Sequence, residues 1–172
     1  IKKRKLRDGH APLSMLTCYD FQTAQMLDQT PLDMILVGDS LGNVILGYPT
    51  TVHVKLEEMI LFGSAVQRGA HNTFVVIDLP FGSYASFEKG IEHAVRLFQE
   101  TGAQALKLEG AYPSQLELIE RLTQNGIPIM GHIGLMPQSV NQQGGYYKHG
   151  KKPESQIRLL QQPLALEKAR AF

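Results

Sequence analysis

Short apolar runs alternate along the chain with longer amphipathic stretches, and several of these stretches end at a glycine. The apolar runs have the length and residue types of buried strands, whereas the amphipathic stretches repeat every three to four residues, as helices do. This alternation is typical of β/α units built around a parallel sheet. The pattern predicts five strands, at Leu13–Cys18, Met34–Val37, Phe74–Ile77, Ala105–Leu108 and Ile127–Met130.

Capping residues mark the predicted helices between these strands. The four predictions are a helix after the N-cap Asp20, a helix over Val54–Arg68 that Gly69 closes, a helix from the N-cap Ser86 to Gly102, and a helix from a capping box of Ser114 and Glu117 to Gly126.

Two long connections and a last helix complete the pattern. The connections are Gly38–Thr51 and Gly131–Pro153, and the second is a long loop of a kind that is often functional in compact domains. The last helix begins near Glu154, and we expect Pro163 to kink it or to restart it. No sixth apolar run follows this helix.

Composition and charge narrow the possible partners. Of the 172 residues, 43 % are hydrophobic, and 17 basic against 16 acidic side chains leave a formal net charge of +1. This charge creates no general attraction for a polyanion, so we expect no nucleic-acid partner. Five of the first seven residues are basic, but no aromatic side chains lie between them, which favours a solvated chain end. These residues are Lys2, Lys3, Arg4, Lys5 and Arg7.

The number of cysteines and the length of the apolar runs indicate the cellular compartment of the protein. Cys18 is the only cysteine, so no internal disulfide can form, and we interpret it as structural. No apolar run approaches the ~20 residues that a membrane helix needs. We therefore expect a cytoplasmic protein with no membrane partner.

Polar side chains follow each predicted strand. They are Asp20, Asp39, Asp78, Glu109 and His132. The carboxyl ends of parallel strands bind ligands in closed barrels and in open sheets alike. Asp20 is better explained as a helix cap, and His132 is as compatible with a core position as with a site. Asp39, Asp78 and Glu109 predict a functional rim.

The residue types of the rim indicate its chemistry. Several carboxylates without a thiolate favour Mg²⁺, held by one or two carboxylates and completed by water and substrate. Lys107 lies two residues before Glu109 and so shares its strand face, where we interpret its ammonium as a receptor for an anionic substrate. A phosphate-binding turn at Gly38–Gly42 is a weaker alternative, because the segment matches no established nucleotide motif.

Several segments, in order, make the chain resemble the ketopantoate hydroxymethyltransferase (3-methyl-2-oxobutanoate hydroxymethyltransferase) family. The matching segments are Thr17-Cys18-Tyr19-Asp20, Val37-Gly38-Asp39-Ser40-Leu41-Gly42, Arg68-Gly69-Ala70, Asp78-Leu79-Pro80-Phe81, Lys107-Leu108-Glu109-Gly110, Gly131-His132-Ile133-Gly134-Leu135, Pro137-Gln138-Ser139-Val140 and Gly144-Gly145-Tyr146. They cover nearly the whole chain in the order and spacing of the family.

This resemblance implies a fold and an activity. The fold would be a (β/α)8 TIM barrel of the phosphoenolpyruvate/pyruvate type, of which residues 1–172 supply about the first five strands as a single domain. The activity would be transfer of a one-carbon unit from 5,10-methylenetetrahydrofolate to 3-methyl-2-oxobutanoate through a Mg²⁺-stabilised enolate, giving 2-dehydropantoate in pantothenate and coenzyme A synthesis. The resemblance also implies a cytoplasmic homo-oligomer, usually a decamer.

The resemblance also implies site residues. It places the keto acid at Asp39, Ser40, Asp78, Lys107 and His132, and Mg²⁺ at Asp39 and Asp78 with Glu109 close to the metal. The family's base is a glutamate at the end of a sixth strand, which we expect beyond Phe172, so that a chain ending there should be inactive. Arg170 stands where the family commonly has glycine.

Two other functions remain open from the sequence. One is a Mg²⁺-dependent lyase or mutase of the phosphoenolpyruvate/pyruvate superfamily, which would use the same metal and a similar acid. The other is a non-catalytic fragment whose exposed strand edges serve only in assembly.

Overall fold

The computed structural model describes residues 12–140, 145, 150–151 and 153–172. Within these residues, five strands form one sheet: β1 (Met15–Thr17), β2 (Met34–Val37), β3 (Phe74–Asp78), β4 (Ala105–Glu109) and β5 (Ile129–His132). The basic residues of the first seven positions, together with Gly144 and Tyr146, lie outside the described residues. All five predicted strands are confirmed, and no end is shifted by more than two residues.

Helices connect the strands. They are α1 (Phe21–Leu27), α2 (Leu41–Val44), α3 (Leu56–Gly69), α4 (Phe87–Thr101), α5 (Pro113–Gln124) and α6 (Pro153–Lys168), with 3₁₀ turns at Thr51–His53 and Pro137–Ser139. No helix in the described part of the chain is long and apolar enough to cross a membrane.

The strand order identifies the sheet as part of a barrel. Each strand pairs in parallel with the next strand in sequence, in the order β1-β2-β3-β4-β5, so the sheet has no point at which the order reverses. An open doubly wound sheet requires such a reversal. The rings of Phe74 and Phe172 meet edge to face with centroids 6.2 Å apart. Because Phe74 lies on β3 and Phe172 lies beside β5, this contact shows that the sheet curves around its inner face.

The chain returns to the sheet after α6. The N–H of Phe172 donates to the carbonyl oxygen of Ile129 at 3.0 Å, and the N–H of Gly131 donates to the carbonyl oxygen of Phe172 at 3.2 Å. These two bonds have the pattern of a parallel neighbour on the free edge of β5. The sequence analysis predicts no strand here, because a contact made by so few residues leaves no hydrophobic pattern to detect.

Alternate residues of each strand divide between the two faces of the sheet. One set packs under the helices in the main hydrophobic core and comprises Ile35, Val37, Val75, Ile77, Leu106, Leu108 and Ile129. The core is tight enough that a Cβ on Gly63 of α3 would lie 2.5 Å from Cδ1 of Ile77. The other set faces the inside of the curved sheet and includes Asp78, Lys107 and Glu109.

The helix ends confirm some capping predictions and correct others. The side chains of Asp20 and Ser86 accept N-cap bonds from the N–H groups of Thr23 and Lys89, and Gly102 has the left-handed conformation. The capping box of Ser114 and Glu117 is wrong. The N-cap is Tyr112, two residues before Ser114, so the helix begins at Pro113, whose fixed φ suits the first helical position, and Gln115 accepts the bond from the N–H of Tyr112.

Two other helices differ from the predictions. Helix α3 begins at Leu56 and not at Val54, since Thr51–His53 forms a separate 3₁₀ turn and Val54 is extended. Helix α6 runs without a break through Pro163, so the predicted restart is wrong, although Pro163 offers no N–H to the preceding turn.

Arg170 terminates α6 in a conformation that normally takes glycine. Its φ is 69°, the N–H of Ala171 donates to the carbonyl oxygen of Leu166, and the N–H of Arg170 donates to that of Glu167. This is a Schellman ending, in which a residue with a Cβ is strained. Arg170→Gly should therefore be more stable than Arg170→Ala by about 1 kcal/mol, because only the glycine variant removes the Cβ. Urea denaturation measures the difference, and equal stability of the two variants would contradict the assignment of strain.

Asp28 ties the end of α1 to the start of β3. Its carboxylate accepts hydrogen bonds from the backbone N–H groups of Asn72 and Thr73 and from the side-chain amide of Asn72, at 2.7 to 3.0 Å. Although desolvation is the largest influence and acts the other way, these bonds together hold the pKa of Asp28 well below its ordinary value. The carboxylate is partly exposed, so water screens part of this gain.

The lowered pKa of Asp28 gives a pH-dependent stability with a defined sign. Its contribution is complete above the unfolded-state pKa of about 3.9, and it is lost as the pH falls towards the lower folded-state pKa. Asp28→Asn should lower the free energy of unfolding at pH 7 by about 1 kcal/mol. The gap between the variant and the unmodified protein should narrow below about pH 4 in denaturation measured across pH, and a gap independent of pH would be inconsistent with this role.

Candidate functional site

The ends of four neighbouring strands bring the predicted polar residues together. Asp39 follows β2 after Gly38, whereas Asp78, Glu109 and His132 are the last residues of β3, β4 and β5. The three carboxylate residues are 2 to 4 % exposed. The parallel register places residues from adjacent strands side by side at this rim, because their ends are aligned.

Two pairs of charged or polar side chains connect adjacent strands at the rim, and the register of β3 with β4 explains the first pair. Lys107 lies opposite Asp78 in the β3–β4 ladder, and its Nζ donates to Oδ1 of Asp78. The lysine is 9 % exposed and its carboxylate partner 2 %. The other carboxylate oxygen of Asp78 accepts from the backbone N–H of Asp39 at 3.1 Å. Asp78 therefore links its own strand to the ends of β2 and β4.

The second pairing lies one strand further along. Glu109 is opposite His132 in the β4–β5 ladder, and Nδ1 of His132 lies 3.2 Å from Oε1 of Glu109. The imidazole is 31 % exposed, so it reaches the open side of the rim. Oε2 of Glu109 accepts from the backbone N–H of Gln138, also at 3.2 Å.

A buried glutamine from the loop after β5 completes the polar cluster. The amide nitrogen of Gln138 donates to Oδ2 of Asp39 and to the carbonyl oxygen of Leu79, each at 2.9 Å, and its amide oxygen accepts from the hydroxyl of Tyr84. Gln138 is only 5 % exposed. The loop after β5 thus reaches back over the ends of β2, β3 and β4.

Ser40 lies beside the carboxylates and is held by Tyr19, which follows β1. Its hydroxyl is 2.7 Å from the hydroxyl of Tyr19. Gly38 makes this arrangement possible, since a Cβ there would lie 2.9 Å from Oγ of Ser40 and 3.4 Å from Oδ2 of Asp78. The other glycine of the segment, Gly42, is explained by packing, because its Cβ would lie 2.5 Å from Cγ2 of Val54.

The concentration of negative charge changes the acidity of the cluster. Burial first, and the neighbouring charge of Asp78 second, raise the pKa of Asp39 to about 7, against the hydrogen bond from Gln138 and the charge of Lys107. Burial and the charges of Glu109, Asp39 and Asp78 also raise the pKa of Tyr84, so its hydroxyl keeps its proton and donates. A cation bound among these carboxylates would favour their charged forms.

A cavity of about 250 Å³ opens beside the cluster. Its lining includes Glu109 and Gln138 of the cluster and the aromatic residues Phe81, Tyr84 and Tyr112. A cavity with aromatic walls and a few polar groups can hold a small organic molecule. The cluster therefore has an adjoining space in which a ligand could contact the carboxylates.

The donor set fits a hard divalent cation. Carboxylate oxygens are the ligands that Mg²⁺ prefers, with one or two from the protein and the remainder from water and substrate. Among the described residues, no three His, Cys, Asp or Glu side chains already converge as a complete metal cage. Oδ1 of Asp39 has no hydrogen-bond partner in the described part of the chain, and a magnesium ion could use this oxygen.

The structure brings together the residues that the sequence predicted for the site. Asp39, Ser40, Asp78, Lys107, Glu109 and His132 all lie at one end of the sheet. Asp20 is a cap, and Cys18 is buried and free, as predicted. Sequence reasoning assigned no role to Gln138, Tyr19 or Tyr84. The first two stand in motifs of the family, but Tyr84 has no signal in the sequence that would distinguish it from a core residue.

Comparison with known proteins gives matches over nearly the whole chain. A family model described as ketopantoate hydroxymethyltransferase matches residues 2–172. A 3-methyl-2-oxobutanoate hydroxymethyltransferase of Deinococcus radiodurans is 50 % identical over 169 residues, which cover 98 % of this chain and 60 % of that protein. Another, of Synechococcus elongatus, is 51 % identical over 170 residues, covering 98 % and 63 %. The chain thus spans about three fifths of the length of these curated relatives.

Solved structures show the same fold at low sequence identity. Phosphonopyruvate hydrolase matches 98 % of this chain and 59 % of its own, with a TM-score of 0.70 and 12 % identity. 2,3-Dimethylmalate lyase, described as a member of the PEP mutase/isocitrate lyase superfamily, matches 99 % and 60 %, with a TM-score of 0.64 and 14 % identity. Together with the strand order, these matches show that the five β/α units are part of a (β/α)8 barrel.

The buried pair of Lys107 and Asp78 predicts a large effect on stability. Lys107→Met should lower the free energy of unfolding by about 3–5 kcal/mol, because it leaves Asp78 buried without its counter-charge. The double variant Asp78→Asn/Lys107→Met should recover part of that loss. Glu57→Gln, which breaks the exposed Arg96–Glu57 pair, is the control and should cost less than about 1 kcal/mol. A Lys107→Met variant as stable in urea as this control would refute the prediction.

Proposed function

Because the chain belongs to the ketopantoate hydroxymethyltransferase family, we propose that the protein transfers a hydroxymethyl group from 5,10-methylenetetrahydrofolate to 3-methyl-2-oxobutanoate. The product is 2-dehydropantoate, and the reaction is a step of pantothenate biosynthesis. The observation that carries the proposal is the buried group of Asp39, Asp78 and Glu109 with Lys107 at the ends of adjacent barrel strands.

Magnesium fits this arrangement, and we propose that Asp39 and Asp78 hold it with Glu109 alongside. When bound, the ion would act as a Lewis acid towards the keto oxygen and so lower the free energy of the enolate formed at C3. Water and substrate oxygens would complete its coordination. Burial of the carboxylates strengthens their attraction for the ion, because charges interact more strongly away from bulk water.

Lys107 and Ser40 supply the contacts for the keto acid in this proposal. The ammonium of Lys107 has three N–H donors and, among the described residues, uses one of them on Asp78, which leaves donors for the substrate carboxylate. The hydroxyl of Ser40, held by Tyr19, lies beside Asp39 and can donate to a substrate oxygen. His132 lines the same rim, where Glu109 fixes the orientation of its ring.

The family match favours the transferase over the other two interpretations. Lyases and mutases share this barrel, but likeness at 12–16 % identity shows only a common fold. A fragment serving only in assembly gives no reason for buried carboxylates and an ammonium at the ligand-binding end of the sheet, since each such group is costly to desolvate. The site therefore supports a catalytic protein.

We further propose that the protein works as a cytoplasmic homo-oligomer, with a decamer as the expected size. Family membership and the buried, free thiol of Cys18 support the reducing compartment. Light scattering at several protein concentrations gives the mass of the assembly.

Deuterium exchange tests the proposed function on the complete protein. In D₂O with Mg²⁺ and without folate, the C3 proton of 3-methyl-2-oxobutanoate should exchange with solvent, because enolisation precedes carbon transfer. Asp39→Asn and Asp78→Asn should slow the exchange by more than about 100-fold, since loss of a metal ligand exceeds the 10–100-fold effect of its hydrogen-bond partners. NMR integration of the C3 signal gives the rate.

Matched controls make the exchange experiment specific. Glu120→Gln removes an exposed carboxylate on α5 and should exchange at the unmodified rate. Calorimetry should show in parallel that keto acid binding needs Mg²⁺ and is lost in both aspartate variants. Exchange that continues in the aspartate variants, or that needs no divalent cation, would overturn the proposal.

A further inference from the structure

Gln138 has every hydrogen-bonding group of its side chain engaged. The amide nitrogen donates both hydrogens, to Oδ2 of Asp39 and to the carbonyl oxygen of Leu79, and the amide oxygen accepts from the hydroxyl of Tyr84 at 2.5 Å. A side chain that is 5 % exposed and satisfied in this way has one orientation available. The position of the Gln138 side chain is therefore set by its hydrogen bonds to protein groups of the site and not by contacts with water.

The partners of Gln138 fix which end of its amide faces Asp39. A carbonyl oxygen can only accept, so the contact with Leu79 must be made by the amide nitrogen. The hydroxyl of Tyr84 donates to the amide oxygen, and the same nitrogen then faces the carboxylate of Asp39. A reversed amide would place its oxygen against Asp39 and against the carbonyl oxygen of Leu79, which is unfavourable at both contacts.

Gln138 also acts through its main chain. Its N–H donates to Oε2 of Glu109, so one residue holds a carboxylate after β2 and another at the end of β4. The residue lies in the 3₁₀ turn Pro137–Ser139, where proline fixes the first φ and Met136 is nearly buried before it. The turn is thus anchored independently of the two carboxylates.

The contact with Gln138 leaves the other carboxylate oxygen of Asp39 available, whereas both oxygens of Glu109 are engaged. Oδ2 of Asp39 and Oε2 of Glu109 are taken by Gln138, whereas Oε1 of Glu109 faces His132. Oδ1 of Asp39 has no hydrogen bond among the described residues. Such outer contacts commonly set the orientation of metal-ligating carboxylates.

We propose that Gln138 is a positioning residue, which holds the carboxylates of Asp39 and Glu109 so that Oδ1 of Asp39 is presented to the divalent cation, and that Tyr84 acts only by fixing the amide of Gln138. The proposal rests on the proposed function, because it takes the cation site from there. It assigns a role to the Pro137–Val140 segment and to Tyr84, which the reaction itself does not use.

Cation binding tests the proposal without recourse to catalysis. Mn²⁺ replaces Mg²⁺ as a paramagnetic probe, and titration of the complete protein followed by electron paramagnetic resonance gives its Kd with 3-methyl-2-oxobutanoate present. Gln138→Leu keeps the volume but removes the amide, and it should weaken Mn²⁺ binding by about 10- to 100-fold. Gln124→Leu makes the same chemical change on the exposed face of α5 and should bind as the unmodified protein does.

A second variant tests the part assigned to Tyr84. Tyr84→Phe removes one neutral hydrogen bond and should weaken Mn²⁺ binding by about 2- to 10-fold. In the Gln138→Leu background the same change should have no further effect, because its target is gone. Additive effects would overturn the role of Tyr84. If circular dichroism shows that Gln138→Leu is misfolded, unchanged Mn²⁺ affinity in Tyr84→Phe alone overturns the proposal.

The outcomes separate this inference from the proposed function. An unmodified protein that binds neither Mn²⁺ nor the keto acid contradicts the proposed function and removes the basis of the inference with it. An unmodified protein that binds both, together with a folded Gln138→Leu variant of equal affinity, overturns only the role of Gln138. Weaker cation binding in Gln138→Leu at unchanged thermal stability supports the role.

Discussion

Negative charge held out of water at one end of the sheet is the constraint on which the site depends. Asp39, Asp78 and Glu109 are almost inaccessible to solvent, and Lys107 balances one of their charges. Burial disfavours the charged form of Asp39, and the neighbouring charge of Asp78 adds to this effect, so the pKa of Asp39 rises to about 7. Burying these charges destabilises the folded state, and binding of a cation among them would offset that cost.

The barrel geometry brings these groups together with little help from the loops. Successive parallel strands end at the same level, and residues aligned in register share a face of the sheet. Lys107 therefore reaches Asp78, and Glu109 reaches His132, across single strand-to-strand spacings. The opposite face of the same strands is apolar and packs under the helices, so one periodicity serves both stability and chemistry.

The loops add what the strands cannot supply. The end of a strand fixes the backbone position of an acidic residue but not the torsion angles of its side chain. Hydrogen bonds from outside the strand restrict those torsion angles. Gln138 does this for Asp39 and Glu109, and Tyr19 does it for Ser40. Gly38 leaves room for this arrangement because it has no side chain, and a Cβ there would collide with the hydroxyl of Ser40.

The sequence by itself determined the five strands, most of the helices and the residue types at the rim, because period and capping are local properties. It also identified the family, through motifs such as Val37–Gly42 and Lys107–Gly110. Tertiary structure decided what depends on contacts between distant residues. The order of the strands, the pairing of Lys107 with Asp78 and the reach of Gln138 across 99 positions to Asp39 follow from packing, and no local pattern encodes them.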